Sequence, residues 1–210
     1  MRVRAKIESP YNLHPSVVML QKWTTGLKAN SGRSLEEWVA LVKKSGPDSE
    51  KERRAWLKEK HGLGTNSAAW ITERAGGKET IGPDPEQYLR AAEQWVEKMF
   101  SGPKASLRPI YDELLLLTKS LGKDVKVSPC QTIVPLYRNH VFAQIKPATN
   151  TRIDLGFSLE SRKAAGRLID TGGFAKKDRI THRIPISSTN EIDSEVKKWL
   201  QLAYDEDASH

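Results

Sequence analysis

The apolar residues of this chain repeat every 3.6 positions as far as about residue 121 and every 2 positions beyond it, and that switch fixes the fold class. Helices come first and an antiparallel sheet follows. His14–Lys28 sets Val17, Val18, Leu20 and Trp23 on one side before Gly32. Ser34-Leu35-Glu36-Glu37 reads as a capping box, with the Ser34 hydroxyl and the Glu37 carboxylate each satisfying an orphan N–H. The helix it opens carries Leu35, Trp38, Val39 and Val42 inward and stops at Gly46-Pro47. A helix over Ser49–His61 buries Trp56 and Leu57, and Gly76-Gly77 ends the one after it. Pro83-Asp84-Pro85 opens a helix to Phe100, and Leu107–Leu121 has Ile110, Leu114, Leu117 and Leu121 on one stripe.

After the switch, Val125 and Val127 alternate with polar neighbours, and Pro135 in the next run, 132–137, marks an edge or bulged strand. Arg138-Asn139-His140 reads as a hairpin turn into Val141–Lys146. Thr151–Leu159 alternates most clearly, with Ile153, Leu155, Phe157 and Leu159 inward. Ile180, His182, Ile184 and Ile186 share a later strand face, and Ser188 with Glu191 caps a last helix striped by Ile192, Val196, Trp199, Leu200 and Ala203. The expected fold is therefore α+β: a helical domain over 10–101, a linker near Ser101–Lys104, and over 104–206 a meander sheet covered by helices. Residues 1–9 and 207–210 are expected to be flexible.

The charge is basic without a basic tail. A formal net charge of +8 divides evenly, 17 Lys/Arg against 13 Asp/Glu in residues 1–102 and the same in 103–210. That balance suits an anionic partner. The single Cys130 excludes an intramolecular disulfide or a cysteine-rich metal site and fits a reducing cytoplasm. No stretch reads as a secretory signal or a membrane span.

Within the helical half, His61-Gly62-Leu63-Gly64-Thr65-Asn66-Ser67-Ala68 has the spacing of the helix-hairpin-helix DNA-binding motif. Gly62 and Gly64 permit a sharp turn with N–H groups exposed, and the next helix would start near Thr65 with partial positive charge facing a phosphate. Lys58 and Lys60 flank the turn. The same glycines also suit a plain helix cap, with Ala68 allowing close helix packing. A second basic feature spans 161–183, where Arg162, Lys163, Arg167, Lys176, Lys177, Arg179 and Arg183 face only Asp170 and Asp178 around Gly172-Gly173. It would serve either to grip phosphates or to remain a solvated loop.

The stretches Ser31–Trp38, Trp56–Glu59 and His61–Gly64 resemble a bacterial family carrying a small helical domain of unknown function. Val125–Pro129, Thr181–Ile184 and Trp199–Tyr204 resemble a second domain of unknown function found behind the first. The resemblance covers roughly 10–206 and implies two domains in that order, with no activity attached.

Catalytic readings find little support. His14, His61, His140, His182 and His210 show no metal-ligand spacing, so neither a metal nor a cofactor is expected. His182, between two isoleucines, reads as a hydrogen-bonded core residue, and Cys130 as a packing residue rather than a nucleophile. The expected function is non-enzymatic binding of DNA or RNA along the phosphate backbone. The alternative is a small-ligand or protein-interaction module with a pocket near Tyr137, His140, Arg152 and His182.

Overall fold

The computed structural model describes residues 9–77 and 82–208, so the flexibility expected at 1–8 and 209–210 concerns residues outside that description. The chain divides into two compact units, His14–Tyr88 and a second assembled from the segment ending at Leu13 together with everything from Leu89 onward.

The helical unit contains α1 (Pro15–Ser31), α2 (Leu35–Ser45), α3 (Glu50–Glu59), α4 (Thr65–Ala75) and the first turn of α5 (Pro85–Met99). His14 caps α1, its Nδ1 accepting the Ser16 N–H at 3.2 Å, and Gly32 ends the helix in the left-handed region. Val18 is exposed, because the inward stripe of α1 runs through Val17 and Leu27, half-burying Leu20 and Trp23 between them. The capping box of α2 is present in both directions: Ser34 N–H donates to Glu37 Oε2 at 2.6 Å, and Ser34 Oγ accepts the Glu37 N–H at 3.3 Å. Leu27, Leu35, Trp38, Val42, Leu57, Leu63, Ala68, Ile71 and Ala75 form one core, edged by Trp23 and Trp56. Two indoles tie helices together as well as filling space, Trp23 Nε1 donating to Ser67 Oγ (2.9 Å) and Trp38 Nε1 to Ser31 Oγ (2.8 Å). The two ends of the unit meet, with the His14 and Tyr88 rings 6.4 Å apart.

The second unit holds the rest of α5, a 3-10 helix at Gly102–Leu107, α6 (Arg108–Ser120), six strands and α7 (Ser194–Ala208). Ser101–Lys104, where the sequence suggests a linker, lies at the start of the 3-10 turn, and Lys104 Nζ is bonded to the Pro147 carbonyl at 2.9 Å. β1 (Lys126–Val127), β2 (Val134–Tyr137), β3 (Val141–Pro147), β4 (Ile153–Phe157), β5 (Ile169–Asp170) and β6 (His182–Ile186) form one antiparallel sheet in the order β1-β2-β3-β4-β6-β5. The last connection departs from a meander, since β6 inserts between β4 and the short edge strand β5. Pro135 belongs to an interior strand, β2, whose register with β3 shifts at Leu136/Tyr137. That bulge leaves Phe142 unpaired in the ladder, so Phe142 and Ala143 are both buried, and Phe142 meets Tyr204 of α7 edge-on at 5.7 Å.

Ala143, Ile145, Ile153, Leu155, Phe157, Ile184 and Ile186 are buried on one sheet face, and α7 packs on β3 and β4. The buried stripe of α7 is Val196, Leu200, Ala203, Tyr204 and Asp207. Trp199 is only half-buried, one position off that stripe, with the Lys198 ammonium 5.7 Å from its ring. Ser188 and Glu191 flank a 3-10 turn that ends at buried Ile192, and the first turn of α7 is capped by Asp193, whose Oδ1 accepts the Glu195 and Val196 N–H groups. α7 continues through Ala208, so 207–208 are ordered helix rather than a loose tail.

The segment before α1 belongs to this unit. Asn12 N–H donates to Val127 O (2.8 Å) while Asn12 Oδ1 accepts the Val127 N–H (2.9 Å), which satisfies the outer edge of β1. The Tyr111 hydroxyl bonds that of Tyr11 at 3.1 Å.

Candidate functional site

At the end of α3 the chain turns back through two nested backbone bonds, Gly62 N–H to Lys58 O (3.1 Å) and Leu63 N–H to Leu57 O (3.2 Å). Gly62 sits at φ +66, where a side chain would be strained. Leu63 points into the core, and fully buried Ala68 allows α4 to pack closely against α2 and α3. Gly64 is the N-cap of α4 and supplies no side-chain cap, so Thr65 is the first residue of the helix. Gly62, Gly64, Thr65 and Asn66 are all exposed, and a Cβ placed at either glycine would meet nothing within 4 Å. A helix-capping turn and an approachable, uncapped helix N-terminus thus coexist in one hairpin.

Two of the cations on α3 are engaged within the fold. Arg53 Nε is bonded to Pro47 O at 2.6 Å, and Arg54 Nη2 lies between Glu50 (2.5 Å) and Glu73 (3.1 Å). Lys51, Lys58 and Lys60 remain exposed. His61, just before the turn, lies edge-on to Trp38 and Trp56, with ring centroids 5.3 and 4.4 Å away. Burial, with help from Arg33 and Lys60, lowers its pKa below the ordinary histidine value.

The basic stretch over 161–183 is mostly spent on holding the fold. Arg162 pairs with Glu206, and Arg167 with Glu195 (3.2 Å), Asp193 (2.7 Å) and the Glu191 carbonyl (3.0 Å). Arg179 reaches Asp207 (2.8 Å) and Val141 O (3.0 Å), and Arg183 reaches Asp154 (2.9 Å). Lys163, Lys176 and Lys177 are the cations of this stretch left exposed without an ion pair among the described residues. Sequence proximity groups seven positive charges; their five carboxylate partners, of which only Asp154 lies in a nearby strand, cannot be read from local spacing.

The four residues expected to line a pocket do not converge on one. Tyr137 is half-buried, its phenol pushed up to about 12 mainly by burial. His140 stands on the β2–β3 turn, 3.3 Å from Asp207. His182 is fully inside, with Nε2 bonded to the Arg162 carbonyl (2.9 Å) and Nδ1 to the Thr181 hydroxyl (2.8 Å), the hydrogen-bonded core histidine its flanking isoleucines suggest. Arg152 lies on the opposite sheet face, bonded to Asp154 at 2.9 Å. That outer face carries a cleft of about 460 Å³ lined by Gln144, Lys146, Asp154, Gly156, Thr171, Asp178, Arg179, Ile180 and Arg183. Among the described residues no group of three or more His, Cys, Asp or Glu side chains is placed to hold a metal ion. Burial raises the pKa of the Cys130 thiol, which disfavours the nucleophilic thiolate.

A family model described as a domain of unknown function (DUF5655) matches residues 96–207, just over half of the chain. The chain belongs to this family. A second model, also described as a domain of unknown function (DUF4287), matches residues 20–75, ahead of the DUF5655 match and in the order the resemblance implies. The DUF5655 match takes in α6, the sheet and α7, while the DUF4287 match holds the α3–α4 hairpin. No curated protein matches the chain, and neither does any solved structure. No helix among the described residues is long and apolar enough to cross a membrane.

Proposed function

We propose that the helical unit binds the phosphate backbone of nucleic acid through the α3–α4 hairpin, without reading sequence. The observation that carries the reading is the exposed, uncapped N-terminus of α4 behind Gly62 and Gly64, with Lys58 and Lys60 exposed on the approach. Backbone N–H groups aimed outward at a helix N-terminus favour a phosphate, and the macrodipole adds to that preference. Two lysines extend the contact along the strand as point charges. The binding is non-enzymatic, and a cytoplasmic setting agrees with the single cysteine. Of the cations in the 161–183 stretch, Lys163, Lys176 and Lys177 are the ones free to add to such binding among the described residues, because the arginines are engaged with carboxylates.

The test uses duplex and single-stranded oligonucleotides across a salt series. Affinity should fall steeply from about 50 to 200 mM salt, with a log–log slope near −0.9 per phosphate neutralised on duplex. Thr65→Asp places a carboxylate where the phosphate would sit, yet suits the helix dipole, so the folded protein should be as stable or gain roughly 0.3–1 kcal/mol. Its nucleic-acid affinity should nevertheless drop. Undiminished binding by folded Thr65→Asp, or binding indifferent to salt, would overturn the proposal.

A further inference from the structure

The outer face of the sheet presents two cross-strand rows. Gln144, Gly156 and Arg183 are partners in one, and Lys146, Asp154 and Pro185 in the other. Asp154 is saturated by two guanidinium groups, its Oδ1 accepting from Arg152 Nε and its Oδ2 from Arg183 Nη1, both at 2.9 Å. Lys146 stands directly across from it, exposed and without an ion pair among the described residues. Three cations therefore gather about a single carboxylate, an excess of two positive charges around Asp154, with Lys146 and Arg183 on the cleft wall and Arg152 behind it. Such an excess is surplus to the ion pairs and matches the charge of a phosphate monoester, close to −2 at neutral pH.

The other end is built for neutral polar groups. Gly156 has no Cβ, and one added there would sit 2.7 Å from Ile180 Cγ2 and 3.1 Å from Gln144 Cγ, so the glycine is what lets both side chains lie down on the sheet. The segment 170–180 folds over this end, fixed by Thr171 Oγ1 to the Thr181 carbonyl (2.8 Å), by Asp178 N–H to the Gly173 carbonyl (2.9 Å) and by Arg179 to Asp207 and Val141. It brings Thr171 and the Asp178 carboxylate to the wall beside Gln144. Amide, hydroxyl and carboxylate together suit a body that both donates and accepts hydrogen bonds, as sugar hydroxyls do. The cleft volume of about 460 Å³ lies in the usual range for small-ligand sites.

We infer that this cleft binds a small phosphate monoester with a hydroxylated body, a sugar phosphate, with its phosphate at Lys146 and Arg183 and its hydroxyls toward Gln144, Thr171 and Asp178. The site lies in the second unit and does not rest on the hairpin reading.

Isothermal titration of the full chain with ribose 5-phosphate at fixed ionic strength tests this, with ribose and inorganic phosphate as separate titrants. Ribose 5-phosphate should bind saturably, with a Kd between about 10 μM and 1 mM, and more tightly than either titrant alone. Lys146→Gln, an exposed substitution that removes the unpaired cation without adding a competing carboxylate, should weaken it at least about tenfold and leave any oligonucleotide binding by the hairpin essentially unchanged. Gln144→Ala should weaken ribose 5-phosphate more than inorganic phosphate. No saturable heat up to about 10 mM, or an unchanged Kd in Lys146→Gln, would overturn the site. Equal affinity for inorganic phosphate would overturn the sugar-phosphate assignment.

Discussion

Asp207 carries more of the second unit than its place near the end of α7 suggests. Its buried carboxylate accepts the Asn139 N–H (2.7 Å), the His140 N–H (2.9 Å) and Arg179 Nη2 (2.8 Å), joining the β2–β3 turn, the 170–180 segment and the last helical turn. Asp207→Ala would leave two backbone donors and a guanidinium without their acceptor, at a cost of about 2–3 kcal/mol in thermal or denaturant unfolding. A melting temperature equal to wild type would show that water replaces the carboxylate freely. His14 and His61 set a different dependence. Burial lowers both pKa values, and the cap that His14 gives α1 needs an unprotonated Nδ1. The unfolded chain then binds more protons than the folded one, so this stability is fully present above the ordinary histidine value of about 6.5 and is lost as pH falls below it toward the lowered folded values. Unfolding followed from pH 8 to pH 5 should show the helical unit weakening below about 6.5, with a shallower fall in His61→Phe. A stability flat across that window would contradict the burial described for both rings.

At the scale of elements, α7 separates what periodicity reveals from what it hides. The apolar repeat marks a helix with Val196, Leu200 and Ala203 inward, and the structure agrees, but Trp199 falls at the margin of the stripe. Leu200→Ala should therefore cost about 2–5 kcal/mol through a buried cavity, and Trp199→Ala clearly less; equal losses from the two would place Trp199 in the core. The alternation of Ile153, Leu155 and Phe157 was legible because one face of β4 is buried and the period of a strand is strict. β5 was not, since two residues cannot display a period, and neither was the bulge at Phe142, which depends on the register of a partner strand. The hairpin turn at Gly62 was legible from local chemistry alone, because a left-handed residue at a helix end is a local requirement. The cleft was invisible to sequence reasoning for the opposite reason. Its residues come from three strands and a distant loop, and its charges acquire meaning only once Asp154 is seen to be neutralised.

At the scale of the whole molecule, the second unit is discontinuous, closed by a short segment that precedes the helical unit. A variant lacking residues 1–13 loses both Val127 bonds and the burial of Tyr11. It should melt at a lower temperature in the sheet-containing unit while the helical unit keeps its own transition, and it should associate through the uncovered edge of β1. Unchanged melting and a monodisperse solution would make the segment dispensable.

The pairing of Asn12 with Val127 also orders events during synthesis, for the two residues are 115 positions apart and the first waits while the second is made. Closing so long an unstructured loop costs about 4 kcal/mol of chain entropy, growing as (3/2)RT ln n. A helical unit that folds as it emerges changes this, because its ends come together at the His14 and Tyr88 rings, 6.4 Å apart. The loop still to be closed then behaves as one of roughly 40 residues, and the penalty falls by about 1 kcal/mol. The inserted helices thus act as a clasp that shortens the tether, so that nascent-chain order favours helices before sheet.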